Sequence, residues 1–299
     1  MKKVTRRLSL LAIAVLALAS LIIQCKKSSN NGPSPIGGYT SSDAVASSNL
    51  IAYWPMDGDA NDHKRSLTAT THGSITYSTG MRGQAYQGTA GAYATLSIPN
   101  SDTALWANIG SYTLSFWYNL PAQPVTYPQG IFFLSGTTTL NELIYEIEHY
   151  APVSGDSVSL HNGFTNLAHP LAPYQGFTMQ AYPTASINNW VHIVATYNGG
   201  SSTYIIYKNA VPIQNQSTMG FITPNILYQE STSTNLQGNI DWSNDEPKSI
   251  SIGSWPDGLY GQSAANDCFL GKLDEIRVYN KALTQTEVSG LFLNGQAGR

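Results

Sequence analysis

The stretch "ELIYEIEHY", residues 142–150, holds Glu142, Glu146 and Glu148 at equal parity. Side chains alternate between faces along a strand, so all three carboxylates share one face. A carboxylate pair can cleave a glycosidic bond, and retaining glycosidases hold the two groups about 5–5.5 Å apart. Glu146 and Glu148 would stand about 6.6 Å apart at about 3.3 Å rise per residue, so distance leaves that chemistry open. Acid–base work also needs two carboxyls with separated pKa values. Only His149 offers an asymmetry, and alternation places it on the opposite face. The competing reading is a solvent-facing or rim strand whose other face, Leu143, Tyr145 and Ile147, packs inward. The expectation is no catalysis, with Glu146 and Glu148 as the candidates if there is any. His161, His169 and His192 show no close metal spacing, and no Ser-His-Asp, phosphate-loop or Cys-His pattern is present.

Two further carboxylate groups stand out. "DGDAND" places Asp57, Asp59, Asn61 and Asp62 within six residues. Oxygen donors at that density suit a hard cation such as Ca2+, which takes 6–8 oxygen ligands. It is not an EF-hand loop, since Asp62 and Thr68 stand where Gly and Glu would be required. A solvated turn rich in Asx motifs fits the same residues. In "LDEIRVY", strict alternation puts Asp274 on the core face with Ile276 and Val278, and Glu275, Arg277 and Tyr279 on the other. A carboxylate there must be satisfied by an ion, by backbone N–H groups or by an indole.

Aromatic residues interleaved with Asn, Gln, Asp and Ser make a different chemistry possible. Trp242, Trp255, Tyr228 and Tyr260 are the ligand-contact candidates, because flat apolar rings beside a few polar groups are the make-up of a small-ligand site. The same residues could serve as core and rim, or contact a protein. Trp117 and Trp190 are assigned to the core.

The elements that must position these residues are strands. Short runs rich in Tyr, Val, Ile, Thr and Trp are separated by Gly, Pro, Asn and Ser, the signature of an all-β sandwich. Examples are "NLIAYWPM" (49–56), "YTLSFWYNL" (112–120), "GIFFLSG" (130–136), "WVHIVATYN" (190–198) and "FLGKLDEIRVYN" (269–280). One short helix is expected at 282–292, with Thr284 as N-cap and Glu287 as its capping-box partner. Residues 150–175 and 213–248 are too long for plain hairpins, and long loops on a rigid scaffold carry function or disorder.

Four segments together resemble the laminin-G-like, concanavalin A-like jelly-roll family. They are "LIAYWPMDGDANDHKRSLTATTHGSITYSTGMRGQAYQGTAGAYATLSIP", "YTLSFWYNL", "NNWVHIVATYNGGSSTYIIYKNAVPI" and "FLGKLDEIRVYNKALTQTEVSGLF". The last is the most specific, and the order of all four matches. The resemblance covers about residues 49–294, with the two long insertions departing from it. It implies two antiparallel sheets in a jelly roll and a short C-terminal helix. It also implies a structural Ca2+ between the first Asp-rich turn and the last strand, so Asp57, Asp59, Asp62 and Asp274 are the metal-site expectation. His192, in the family's W-x-H strand, is expected to be a hydrogen-bonded core histidine. Family members include glycan-binding lectins, adhesion modules and a minority of glucanases, so the fold does not fix the function. The glucanases carry Glu-x-Asp-x-(x)-Glu on one strand; here the middle Asp and closing Glu are missing around Glu146 and Glu148.

The ends place the domain outside the cytoplasm. Residues 1–24 form a basic, then apolar segment of the export type, "MKKVTRRLSLLAIAVLALASLIIQ". The segment resembles a bacterial lipoprotein signal, which implies a lipid on Cys25, although Ile22 and Gln24 depart from the usual pattern. Residues 25–48 are read as a flexible tether, 49–294 as the jelly-roll domain and 295–299 as a tail. Without residues 1–24 the chain has 11 basic and 18 acidic residues, a net charge of −7 that argues against nucleic acid. The membrane would be reached through the lipid alone, at the outer membrane or cell surface. With Cys25 lipidated, Cys268 has no partner, and something other than a disulfide must pin the ends. The expected function is a non-catalytic surface binding module, for glycan first and surface protein second, with a jelly-roll glycoside hydrolase as the third reading.

Overall fold

The computed structural model describes residues 34–124, 126–138, 142–149, 156–166, 177–181, 183–213, 216–219, 222–223, 226–229, 234–257 and 263–299. The strands run in chain order as β1 (Leu50–Trp54), β2 (Thr70–His72), β3 (Thr76–Thr79), β4 (Gln84–Gln87), β5 (Tyr93–Ser97), β6 (Tyr112–Asn119), β7 (Gln129–Ser135), β8 (Leu143–Ile147), β9 (Leu160–Phe164), β10 (Phe177–Ala181), β11 (Trp190–Asn198), β12 (Thr203–Lys208), β13 (Val211–Pro212), β14 (Gln216–Met219), β15 (Ile222–Thr223), β16 (Ile226–Leu227), β17 (Ser249–Ile252) and β18 (Lys272–Tyr279). Two helices accompany them, α1 (Asn100–Ala107) and α2 (Gln285–Gln296).

All named strand pairings are antiparallel and make two sheets. The first is ordered β15-β16-β12-β11-β6-β18-β4-β3, with β1 on β18 and β13 on β12. The second is ordered β14-β10-β9-β8-β7-β17-β5-β2. The expected two-sheet sandwich with a C-terminal helix is the fold found. Alternating residues of both sheets fill the space between them: Leu114, Phe116 and Tyr118 of β6 meet Phe132, Leu143 and Tyr145. Trp54 packs edge-on to Phe132 with centroids 5.5 Å apart. The buried hydroxyls of Tyr112, Tyr145 and Tyr204 bond one another, and Tyr204 donates to Asn162 Oδ1 at 2.6 Å. That chain satisfies four polar groups where water does not reach, and it joins the two sheets.

The capping box forms as read: Thr284 Oγ1 accepts from Glu287 N and Glu287 Oε2 accepts from Thr284 N. The helix runs to Gln296, four residues beyond the expected end. It lies on the outer face of the first sheet, where Val288 and Leu291 pack with Val45, Val194, Tyr207 and Tyr279. Trp117, expected in the core between the sheets, is buried on this outer face instead, in a cluster of rings with His192 and Phe292. Trp190 is only half-buried.

The alternation expected for β18 is broken. Asp274 faces Trp117 and Arg277 faces Ser115, so three steps on β18 match two on β6. Glu275, in the left-handed region at φ 52°, is the extra residue. Such a bulge moves every later side chain to the opposite face. Leu273, Ile276 and Val278 therefore share the core, and Asp274 lies with Arg277 on the outer face, not with Ile276 and Val278. At the bulge β18 also changes neighbours, from β4 to β1.

The outer face carries a buried charge network. Arg277 donates to Glu275 Oε2 at 2.5 Å and to Asp43 Oδ1 at 2.8 Å, and its guanidinium lies 4.1 Å over the Tyr53 ring. Tyr53 donates to Glu275 Oε1 at 2.5 Å. Arg82 grips Asp43 through two hydrogen bonds of 2.8 and 2.7 Å and holds its carboxyl down at about 2. Asp43 lies in the segment expected to be a flexible tether. Residues 35–48 instead belong to the compact unit that runs from Pro35 to Arg299. Ser42 donates N–H and O–H to the Arg299 carbonyl, and Asn294 donates to Ile36 O at 2.9 Å. The tail 295–299 is tied in by the same bonds. Composition concealed this, because the partners of Asp43 and most of those of Val45 lie far away in the chain.

Removing one member of a buried ion network leaves the others unpaired and typically costs about 3–5 kcal/mol. Arg277→Ala is expected to lose that much in urea unfolding, and a chain starting at Asn49 to melt below one starting at Pro35. Equal midpoints would show that the network contributes nothing.

Candidate functional site

β8 and β9 pair so that Glu146 stands directly opposite His161. The inner faces of both strands, Leu143, Tyr145, Ile147, Leu160 and Phe164, join the core between the sheets. Ile144, Glu146, Glu148 and His161 therefore lie on the outer face of the second sheet. His161 Nδ1 is 2.6 Å from Glu146 Oε1 and 3.1 Å from Glu148 Oε1. Glu146 is 0%, Glu148 4% and His161 2% exposed, so the solvent-facing or rim strand expected here is a buried one. The reason is a cover the sequence did not announce. Gly130, the cross-strand partner of Glu146, lies under the backbone of residues 254–255, and a Cβ there would come within 2.4 Å of Ser254 C and 2.6 Å of Trp255 N. The missing side chain lets Trp255 reach the sheet, where it packs on Phe133 and Ile144.

Burial pushes Glu146 up to about 7 against the pull of His161 and, more weakly, of the Trp255 indole. Burial would lower His161, but its bonds to Glu146 and Glu148 outweigh that and hold it up at about 9. One imidazole nitrogen thus bridges two carboxyl groups. Glu142, the third glutamate of the strand, accepts from Gly136 N at 2.5 Å and is driven by burial up to about 9. His161 was missed from sequence. It lies fifteen residues from Glu146, and only the register of β8 and β9 brings them together. His192 is the expected core histidine: burial lowers it to about 3, and Nε2 bonds Ser115 Oγ at 2.9 Å.

The expected metal ligands are not gathered in one place. Asp62 is buried, and Oδ1 accepts from the N–H groups of Tyr53, Lys64 and Arg65. Asp59 is exposed and bonds Asn61 N and His63 Nε2. Asp57 Oδ1 accepts from Gln84 N at 2.6 Å, and Asp274 Oδ2 accepts from Met81 N at 2.7 Å and Arg82 N at 3.1 Å. Asp57 and Asp274 thus grip one turn, residues 80–84, from two sides. That turn's N–H groups join the first strand's end to the last strand, the task expected of Ca2+. Among the described residues, the one set of three His, Cys, Asp or Glu with donor atoms within 4.8 Å of one another is Glu146, Glu148 and His161. The four aspartates do not fit a single calcium centre.

Of the aromatic candidates, Trp242 is core, fully buried with its indole donating to the Thr165 carbonyl. Trp255 is the buried cover described above. Tyr228 is half-buried and distant in register from that cover. Tyr260 lies outside the described residues, as does Cys25. The exposed aromatic is one that sequence did not single out. Tyr127, 47% exposed, stands at a cleft of about 270 Å³ with Pro121, Pro124, Leu270, Gln123 and Asn266. Gln123 Nε2 donates to the Glu148 carbonyl, and its Oε1 has no hydrogen-bond partner. Cys268, at the floor of the cleft, is a free buried thiol.

No family model matches the sequence, and no curated protein matches it either. Solved structures are similar in fold. Trypanosoma rangeli sialidase in complex with sialic acid matches 93% of this chain and 38% of its own, at 14% identity and a TM-score of 0.53. The binding domain of botulinum neurotoxin DC in complex with rat synaptotagmin II matches 83% of this chain and 52% of its own, at 12% identity and a TM-score of 0.52. Domain 4 of AbnA, an extracellular arabinanase from Geobacillus stearothermophilus, in complex with arabinotriose, matches 81% of this chain and 98% of its own, at 19% identity and a TM-score of 0.50. The matched region is 33% of the first sialidase chains. At such identities the likeness is one of β-sandwich fold.

The Asp274 geometry generates a pH prediction. Burial pushes this carboxyl up to about 8, with the neighbouring Glu275 adding to it, against about 3.9 in the unfolded chain. The folded state keeps a proton that the unfolded chain releases, so this contribution to stability is full below about pH 4 and lost as pH rises through 8. Asp274→Asn keeps an oxygen for the Met81 and Arg82 N–H groups and cannot ionise. Its melting temperature relative to wild type is expected to rise between pH 4 and 9; a constant difference would refute the raised carboxyl.

Proposed function

We propose that this chain is a non-catalytic binding module whose first ligand class is carbohydrate. The carrying observation is the cleft at Tyr127. A half-exposed ring stands beside proline and leucine surface, with Gln123 and Asn266 lining the same cleft. A sugar has apolar faces for the ring and hydroxyls for the amides. The cleft is small, which suits the end or a short stretch of a glycan. Surface protein is the second partner class. Similar sandwiches in complex with arabinotriose and with synaptotagmin make both classes reachable by this fold.

The hydrolase reading has less support. Glu146 and Glu148 are buried and share one imidazole nitrogen, which leaves neither disposed toward a polymer. The export segment and Cys25 support a lipid-anchored location in a bacterial envelope, with the negative mature chain facing glycan rather than nucleic acid.

A glycan array with the full chain is the test, followed by titration of its best ligand. Tyr127→Ala is expected to weaken binding about tenfold, equivalent to about 1.4 kcal/mol. An array without a bound glycan would overturn the carbohydrate reading, and undiminished affinity in the variant would overturn the cleft. Palmitate labelling is expected for wild type and not for Cys25→Ala. Equal labelling, or none in either, would remove the lipid anchor.

A further inference from the structure

The bridge of Glu146, Glu148 and His161 is short of positive charge. Between Arg82 and Lys208 the chain contains no Lys or Arg, so β7 to β10 bring no basic side chain but histidine to these carboxylates. All three side chains are buried, and their donor atoms lie within 4.8 Å of one another. Asp267 is fully buried nearby, its carbonyl accepting from Gly130 N at 2.9 Å. One polar atom of the group, His161 Nε2, has no hydrogen-bond partner. Buried polar atoms are rarely left unpaired.

We propose that Glu146, Glu148 and His161 form a binding site for one divalent transition-metal ion of the Zn2+ type. Two carboxylates, a neutral imidazole and a 2+ ion sum to zero. The donor set fits. One nitrogen and two carboxylate oxygens from adjacent strands suit a borderline ion, whereas Ca2+ asks for 6–8 oxygens. Zn2+ holds such ligands at about 2.0–2.2 Å, which sets donor atoms about 3.3 Å apart around a tetrahedron. His161 Nδ1 now lies 2.6 and 3.1 Å from the two oxygens, so ion uptake needs outward shifts of about 0.7 and 0.2 Å. The ion takes the place of the proton on Nδ1, and that proton is released to solvent. Three protein ligands leave a fourth position for water. Phe133, Ile144 and Trp255 surround the site with apolar surface, which lowers the local dielectric and strengthens the ion's hold. Ion binding here does not depend on a sugar in the Tyr127 cleft.

The test uses the full chain in detergent, stripped with EDTA, dialysed and titrated with ZnCl2. One equivalent is expected to bind, with a rise in melting temperature. His161→Gln is expected to lose more than about 100-fold in affinity, beyond the 10–100-fold that loss of an outer partner costs. His63→Ala, which alters the exposed His63–Asp59 pair, is expected to bind as wild type does. Co2+ supplies a readout that needs no variant: an intense visible band of tetrahedral type is expected with wild type. Absence of binding, equal affinity in His161→Gln, loss of the ion in His63→Ala, or a Co2+ spectrum like that of the free ion would each overturn the site and leave a hydrogen-bonded bridge.

Discussion

Arg277 carries a charge at any pH this protein meets, and it is buried. The chain must therefore bring acceptors and ring surface to it from elsewhere. It does so with Glu275 from the same strand, Asp43 from the N-terminal segment and the Tyr53 ring from β1. Each of those positions depends on the single extra residue in β18. Without the left-handed turn at Glu275, Arg277 would point between the sheets, where nothing could satisfy it. A non-glycine residue in that region costs about 1–2 kcal/mol, and the network offsets it. In a domain whose one described cysteine is free, this network and the two-sided grip on residues 80–84 hold the first and last strands together.

The two sheets consequently have different outer faces. That of the first sheet is closed by α2 and the segment from Pro35, which fill it with Val45, Val288, Leu291 and Phe292. That of the second sheet carries Glu146, Glu148 and His161 and is covered by the chain around Trp255. Structural charges and candidate chemistry are thus separated by the whole thickness of the sandwich. Both are sets of buried ions, but they differ in balance. Arg82 and Arg277 neutralise Asp43 and Glu275, whereas the two glutamates meet imidazoles, His161 on both and His149 at 3.8 Å from Glu148.

That difference bears on function. A carboxylate pair set for hydrolysis would be open to substrate and unequal in environment. Here both glutamates share a nitrogen in an apolar enclosure. The open surface is at the end of the sandwich, where the residues after β6 turn toward β7 and expose Tyr127 over a small cleft. Gln123 links the two regions, since one end of its amide bonds the Glu148 carbonyl and the other lines the cleft.

The sequence by itself determined the fold class, most strand positions and the capped helix, because alternation, turn residues and capping boxes act within a few residues of chain. It also determined which face of β8 carries the glutamates, since parity is local. It could not say whether that face was wet. That depended on Gly130 admitting a distant segment, and a glycine in a strand carries no record of what passes over it. It misjudged Asp274 because a bulge is one residue of left-handed backbone that alternation does not reveal, and it misplaced Trp242 because an aromatic in a polar loop is core or contact according to what folds over it. Asp43 read as tether for the same reason: its partners, Arg82 and Arg277, are 39 and 234 residues away. His161 joined Glu146 and Glu148 only through strand register, and register is set when two sheets bury their apolar faces against each other, a constraint that belongs to the whole sandwich and to no short stretch of chain.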